Sequence, residues 1–556
     1  MREISQSFLL YKEEDIMCKS CIPRTECGKV TTMTPLHCHT DYSNIRLLDS
    51  VNRVEDLINA AVKMGNKGVA ITDHEVLSAH MKAIEYVEES KEKGTIPSDF
   101  KLILGNEIYL IEDREKAKEL YGNPEHKVRF YHYLLLAKNA EGHKALRKLS
   151  STAWENSFWT GTMERVPTEE RYLEQIVKEH PNSLIASSAC MGGRIPQEIM
   201  TAYHHMEIAE KLKSGEPLPT KSDTVLREEH NRARRNKNAV GRYEFKYSFE
   251  ENRVIENGWN TTVEEQMVLA SKALQTAKDY ILWNVGLFGD DFYLELQPAT
   301  YKDQIIVNKQ LVEFSKELGV PLIITTDAHY VRPEDQTIHE AFLNAKDGER
   351  EVADFYAHTY LHFTEEIYEK MNYLDKEVIS QALINTIEIT NKVEEYTLAH
   401  ETIIPRINVP EFELQHIFKK WYDKYEYINN MCNSEEEQDR YLMHMIEKGF
   451  IELLPYKEFS NEKFHEYLDR INSEVGELWR LSEAMNQNVS SYYVTTARLV
   501  EIIWADDECS GSFETGSLVG FGRGSAVAFL INYLMGITMV NPLEYGIEIP
   551  HWRLGK

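Results

Sequence analysis

Residues Thr34–Ser50 read TPLHCHTDYSNIRLLDS, an apolar extended start with two histidines one residue apart and an aspartate ten positions past the second. Side chains alternate along a strand, so His37 and His39 fall on one face of it. Working outward, further β-rich runs follow at KGVAITDH, FKLILGNE, RFYHYLLLA, NSLIASSAC, DFYLELQ and PLIITTDAH, up to about Tyr330. Helical patterns separate them. In VEDLINAAVKMG, Val54, Leu57, Ile58, Ala61 and Val62 share a stripe with Gly65 as the C-cap, and in QIIVNKQLVEFSKELG the stripe is Val307, Leu311, Phe314 and Leu318. Seven strands with intervening helices predict an α/β fold, a closed or nearly closed barrel in preference to an open sheet.

The remaining organisation is read around that barrel. Residues 1–33 form an N-terminal extension, 34–348 the barrel domain, 349–471 a mostly helical connecting region and 472–556 a last segment that contains a Gly-rich motif. The stretch 204–260 is charged and strand-poor, with a turn at SGEPLP and a basic cluster at RARRNKNAVGR, and reads as an insertion.

Bulk properties narrow the function. The chain has 556 residues, enough for two or three domains. A net charge of -28 has the wrong sign for gripping nucleic acid through the overall field, so any such contact must be local. No run of eighteen apolar residues exists and MREISQSFLLYKEED lacks a signal-peptide core, which predicts a cytoplasmic protein without membrane association. Seven scattered cysteines, an odd number, do not form a disulfide framework.

Chemistry concentrates at the strand ends. His74 ends the second strand, Glu107 follows the third, His132 lies in the fourth, Cys190 ends the fifth, and Asp327 and His329 repeat the alternate-residue spacing in TTDAH. The C-terminal strand ends of an α/β barrel form its functional face, so these residues are expected to converge there. A single strand histidine is ordinarily a satisfied structural residue. Core packing does not call for so many ionisable groups at one level. Imidazole, carboxylate and thiolate are metal ligands, and their number exceeds the coordination of one ion. Two or three divalent cations are therefore expected, from zinc, manganese or iron, with magnesium as a further candidate; their chemistry is phosphoester hydrolysis.

The strings LHCHTDYS, AITDHE, LGNEIYL, YHYLLLAKN, SSACMGGRIP, FYLELQ and TTDAHYVRPED resemble, in order, the motifs of the polymerase and histidinol phosphatase (PHP) domain at the N-terminus of bacterial DNA polymerase III alpha subunits, family C. The resemblance implies a distorted barrel of seven β/α units bearing nine metal ligands. Matched motif by motif, these are His37, His39, Asp49, His74, Glu107, His132, Cys190, Asp327 and His329. Asp41 competes with Asp49, because NIRL lengthens the loop relative to the family, and Asp73 is placed behind the ligands as an orienting group.

VGFGRGSAVAFLINYLMGITMVNPLEYGIEI, residues 519–549, resembles the palm segment of the same subunit that binds the incoming nucleotide. By itself GFGRGS is a Gly-rich turn leading into a helix, with Gly522, Arg523, Gly524 and Ser525 as nucleotide-binding candidates. The family's second small serine is Phe529 here, and the family's catalytic Asp-x-Asp pair does not follow NPLEYG before IPHWRLGK. An incomplete palm is thus expected, and with it a second polypeptide carrying the rest of a split polymerase. The implied function is a 3'-5' exonuclease acting on DNA, with polymerisation only in the presence of that complementing chain. Two other readings stand beside it: a stand-alone PHP phosphatase or pyrophosphatase, and a non-catalytic metal-stabilised scaffold. Cys18, Cys21 and Cys27 offer three zinc ligands without an evident fourth, Arg232, Arg234, Arg235 and Lys237 a local basic patch, and Asp506 and Asp507 acidic groups in a polar loop.

Overall fold

A computed structural model describes residues 29–120, 128–160, 163–216, 218, 261–344, 354–398, 400, 402–504 and 519–549. The basic cluster at Arg232 to Lys237, the three N-terminal cysteines, and Asp506 with Asp507 lie outside the described residues. Two compact units divide the chain, Met1–Leu398 and Ala399–Lys556.

The first unit is mixed α/β. Its strands are β1 (Gly68–Ile71), β2 (Lys101–Ile111), β3 (Tyr131–Ala137), β4 (Phe158–Thr160), β5 (Met163–Arg165), β6 (Pro167–Glu169), β7 (Leu184–Ser187), β8 (Phe292–Leu296) and β9 (Leu322–Ile324). The curled sheet runs β1-β2-β3-β7-β8-β9, with β6 added to the outer end of β2, while β4 and β5 form a separate hairpin. The segment around Cys38 completes the curl. On one side Ala70 and Thr72 of the β1 region donate to Pro35 and Cys38 carbonyls at 2.8 and 2.9 Å; on the other, His39 N donates to Ala328 O at 2.9 Å and Ala328 N to His37 O at 3.1 Å. TPLHCH is expected as a regular strand, but only Cys38 forms a bridge and the chain bends at His37. That bend is the physical reason for the irregularity. It lets the consecutive residues Leu36 and His37 both face the barrel interior, which a straight strand forbids.

Inside, one residue per strand builds an apolar layer: Leu36, Ala70, Ile103, Leu136, Ile185, Tyr293 and Ile323, capped by Ile389 and Val393. Helices Val54–Lys63 and His80–Glu92 cover the outside with Val54, Leu57, Ile58, Ala83 and Val87. β3 runs antiparallel to both β2 and β7, whereas β1-β2, β7-β8 and β8-β9 are parallel. This one antiparallel strand departs from the all-parallel order of a regular β/α barrel, in keeping with the expected distortion.

Three expected boundaries also move. The barrel unit extends past residue 348 to 398, because Ile367, Ile379, Leu383 and Ile387 enter its core and Asn385 Nδ2 donates to Leu322 O at 2.6 Å. The expected start of the insertion at residue 204 falls inside helix Arg194–Ser214, which packs on helix Val263–Phe288 through buried His205, 2.7 Å from Gln266 Oε1. The 471/472 division falls within helix Asn461–Met485. In the second unit this helix, together with Glu437–Leu453 and Ser490–Trp504, surrounds a core of Phe450, Leu468, Ile471, Val475, Leu530 and Ile531.

A fragment ending at residue 398 is expected to unfold in one cooperative thermal transition, followed by circular dichroism. A fragment ending at residue 348 loses the Ile389 and Val393 cap and the Thr386 and Thr390 hydrogen bonds to Thr34, at 3.0 and 2.7 Å, and should aggregate or melt without cooperativity.

Candidate metal centre

The barrel gathers all nine expected ligand side chains at one end. His39, His74 and His329 form one group of potential ligand atoms within 4.8 Å of one another; His37, His39 and Asp327 form a second, and Glu107, His132 and Cys190 a third. Asp49 joins them, its Oδ2 lying 2.7 Å from His74 Nε2 and 3.4 Å from His329 Nε2. Asp49 is buried while its competitor Asp41 is exposed. The longer NIRL loop folds back because Asn44 Oδ1 accepts from the Asp49 and Ser50 amides at 3.0 and 3.1 Å, and His339 hydrogen-bonds the Asp49 carbonyl.

Two placements differ from expectation. His132 is the second residue of β3, at the N-terminal and not the C-terminal end of its strand. It still reaches the cluster because β3 runs backward, so its start lies beside the C-terminal parts of β2 and β7, with His132 opposite Tyr109. Glu107 does not follow its strand but lies within the eleven residues of β2, which continues past the site to pair with β6.

Hydrogen bonds behind the cluster fix the imidazoles. Ser187 and Thr325 hydroxyls donate to Glu295 at 2.6 and 2.5 Å, and His37 Nδ1–H donates to the same carboxylate at 2.8 Å. Ser43 donates its hydroxyl proton to Asp73 at 2.7 Å, so its oxygen accepts from His39 Nδ1–H at 3.1 Å. His329 Nδ1–H donates to the Asp327 carbonyl at 2.7 Å. Each bond occupies Nδ1 with the proton and turns an Nε2 lone pair toward the cluster. Asp73 also accepts from Thr40 N at 2.6 Å and Thr40 Oγ1 at 2.8 Å, which holds the turn after His39.

Orphaned atoms test whether cations fit. His37 Nε2, His39 Nε2, Asp49 Oδ1, Glu107 Oε2 and Asp327 Oδ1 are buried without hydrogen-bond partners. Their neighbours approach without hydrogen-bond alignment, as where His39 Nε2 lies 3.1 Å from Asp327 Oδ1. Buried polar atoms normally find partners, and five converging lone pairs on imidazole and carboxylate are the donor set a divalent cation requires.

Charge within the cluster is correspondingly frustrated. Burial alone would raise the Asp49 carboxyl, but His74 and His329 hold it well below the usual range; Glu107 is likewise held down, against burial, by His132, His74 and His37. Burial disfavours protonated His37 and His74, yet the carboxylates around them raise both well above an ordinary histidine. Burial, with His74 and His329 nearby, pushes His39 down to about 3. The Cys190 thiol is pushed up by burial and by Asp327 and Glu107, so its thiolate needs a cation beside it. Backbone strain collects here too. Glu75, Ala189 and Asp327, each a ligand candidate or the neighbour of one, have φ of 57°, 55° and 47°.

Glu295 is the site residue that sequence reasoning missed. Its signal is the single acid in the apolar run FYLEL, and its role emerges only when Ser187 and Thr325 arrive beside it.

The nucleotide-binding candidates lie in the second unit. Arg523, Gly524 and Ser525 are exposed, and Gly522 and Gly524 have φ of 126° and 61°. The expected helix after the glycines is corrected to a five-residue 3-10 turn, Gly524–Ala528, and a separate short helix, Leu530–Leu534. The break arises at Phe529 because buried Glu474 accepts the Leu530 and Ile531 amides at 2.9 Å each and starts the helix anew there. Arg470 braces that carboxylate at 2.6 Å and donates to the Ala528 carbonyl.

A curled α/β sheet with this donor cluster defines a PHP-type domain, and residues 35–216 match the PHP domain model. Residues 440–553 match the model described as the bacterial DNA polymerase III alpha NTPase domain. Two separate stretches of the chain thus match the PHP domain and the bacterial DNA polymerase III alpha NTPase domain. It is 46% identical over 94% of its length to the DNA-directed DNA polymerase of Bacillus phage SPbeta, covering 35% of that protein. It is 27% identical over 92% of its length to the DNA polymerase III subunit alpha of Borreliella burgdorferi, covering 33% of it, with the same figures for the subunit of Helicobacter pylori (strain ATCC 700392 / 26695). The chain therefore spans about a third of the length of these relatives. No helix among the described residues is long and apolar enough to cross a membrane.

Glu295→Gln keeps the shape of the side chain but replaces one acceptor oxygen with a donor that cannot serve three donors. Metal affinity, measured by competition with a chelating dye, is expected to fall roughly 10- to 100-fold with the fold retained. Unchanged affinity would remove Glu295 from the site. The raised His37 and His74 predict that metal-free protein carries their protons near neutrality, so metal uptake should release protons. Release in weakly buffered titrations should shrink as pH rises through those pKa values, and affinity should weaken as pH falls.

Proposed function

We propose that the first unit is a metal-dependent phosphodiesterase that releases nucleotides from the 3' end of DNA. The observation that carries this reading is the convergence of nine imidazole, carboxylate and thiol side chains, with orphaned lone pairs aimed into one buried cluster. In this reading His37, His39, Asp49, His74, Glu107, His132, Cys190, Asp327 and His329 hold two or three divalent ions, drawn from zinc, manganese and iron, with magnesium as a further candidate. When bound, such ions neutralise charge developing on a phosphoryl oxygen and acidify water. The protein contributes orientation. Glu295, Ser43 and the Asp327 carbonyl hold protons on Nδ1 of His37, His39 and His329, keeping each Nε2 a donor of electrons. Burial of every ligand except His132 excludes bulk water from the other eight and directs access to one side.

The second unit contributes part of a polymerase. In this reading Gly522, Arg523, Gly524 and Ser525 meet the incoming nucleotide, and DNA synthesis depends on catalytic carboxylates not contained in these 556 residues. A further polypeptide segment supplies them, in continuation of this chain or as a separate partner. In this reading the work belongs to DNA replication in the cytoplasm, and the polymerase names of the relatives support it.

His37→Ala combined with His39→Ala is expected to lower metal content, by elemental analysis, from two or three equivalents to less than one, and to reduce nucleotide release from single-stranded DNA at least 100-fold. The folded state should persist by circular dichroism. Equal degradation by parent and double variant would exclude the nuclease. Hydrolysis confined to small phosphate esters would assign a phosphatase instead, and metal without hydrolysis a scaffold. With primed template and four nucleotides, the same parent preparation should leave the primer unextended.

A further inference from the structure

Among the described residues, the cluster is exposed at His132. Side chains of His37, His39, Asp49, His74, Glu107, Asp327 and His329 are at most 3% exposed, whereas that of His132 is 26% exposed. His132 opens into a cleft of about 380 Å³ that runs beside β3 and also borders Tyr109. Three arginines line this cleft, Arg46, Arg129 and Arg165, and the described lining residues include no aspartate or glutamate. In a chain with 90 acidic against 62 basic residues, a cleft whose described lining carries three guanidinium groups and no carboxylate is a local reversal of charge.

Aromatic rings interleave with these cations. The Arg165 guanidinium stands 4.9 Å from the centre of the Phe130 ring and donates from Nε to Thr160 at 2.8 Å, which anchors it on the β4–β5 hairpin. Arg46 lies 5.4 Å from the centre of the Tyr109 ring, and its Nε is buried without a hydrogen-bond partner. Gly192 floors the cleft beside His132. A Cβ there would lie 2.6 Å from the imidazole, so only glycine keeps the passage to the ligand open.

We infer that this cleft binds the last nucleotides of a single-stranded DNA end, with Arg46, Arg129 and Arg165 on the phosphates and a base stacked on Phe130, and delivers the terminal phosphodiester to the cluster past His132. The inference rests on the phosphodiesterase reading above and names the substrate-binding residues of that same site. Arginine binds phosphate through paired donors, and an aromatic face accepts any base without selecting its sequence. The volume of about 380 Å³ lies within the range of small-ligand sites, so the terminal unit sits in the cleft while its neighbours lie along the rim.

The test uses the metal-loaded full chain and a fluorescein-labelled thymidine 12-mer whose 3'-terminal linkages are phosphorothioate, followed by fluorescence anisotropy across a salt series. Arg46→Ala and Arg165→Ala are each expected to lower the slope of log affinity against log salt by about 0.7, the value for one single-strand phosphate contact. Phe130→Ala should weaken binding about tenfold, and Phe130→Tyr, which keeps the ring, should restore it. On an unmodified 12-mer, the ratio of oligonucleotide to bis(p-nitrophenyl) phosphate hydrolysis should fall about tenfold in each arginine variant. Wild-type slopes and affinities in all three alanine variants would overturn the inference. So would displacement of the 12-mer by inorganic phosphate as effective as by a thymidine dinucleotide, which would mark a simple anion site. If no form hydrolyses DNA but the slopes fall as stated, the hydrolase reading fails and the cleft assignment stands. If the parent hydrolyses DNA and the variants bind as it does, the cleft assignment alone fails.

Discussion

The bond between His37 Nδ1 and Glu295 ties the first segment of the barrel to β8, 258 residues later, at the level where apolar packing ends and ionisable chemistry begins. Below it, one apolar side chain per strand fills the interior. Above it, imidazoles and carboxylates gather in groups of three whose potential ligand atoms lie within 4.8 Å of one another. Glu295 mediates between these layers. It collects donors from β7 and from the residue after β9 as well as from His37, so three neighbouring segments are set in register by a single carboxylate. An uncompensated charge at that depth would be destabilising, and each of its bonds is charge-assisted.

How much of this was legible in the chain depends on what kind of information each feature needs. Six of the seven expected strand positions were, because apolar runs with polar residues at their ends are local patterns, and the ligand candidates other than Glu107 lie at those ends or in the adjoining segments. Strand direction was not. An apolar run reads the same whichever way it is laid into a sheet, so the reversal of β3 and the placement of His132 at its start required the pairing itself. The choice between Asp41 and Asp49 turned on a fold-back made by Asn44 and His339, residues with no chemical signature. The end of the barrel unit was misplaced for a related reason. Helix Lys376–Lys392 looks like any amphipathic helix until Thr386 and Thr390 meet Thr34.

The second unit shows the same dependence on a buried carboxylate, put to a different use. Glu474 sits in the middle of a 25-residue helix and offers its oxygens to the amides of Leu530 and Ile531, so the start of a short helix is fixed by a side chain from elsewhere. Burial would raise this carboxyl, and the two amides and Arg470 work against that rise. The Gly-rich turn immediately before is held from behind, while its own residues stay exposed. Gly449 allows the close approach this needs, because a Cβ there would meet the Leu534 carbonyl at 1.8 Å.

The pairing of Thr34 with Thr390 joins positions 356 apart, and helix Lys376–Lys392 closes the end of the barrel opposite the cluster. Contacts of such sequence separation form late, since loop closure must precede them. On a ribosome moving at about 5–20 residues per second, roughly 15 to 60 s pass between the appearance of the first histidines and that of Asp327 and His329, and the closing helix follows later still. During that interval His37 and His39 exist without Asp327 and His329, in a nascent chain whose barrel is still open. In the metal-centre reading, the full set of nine ligand candidates therefore exists only once residue 329 has been made, late in the synthesis of the unit.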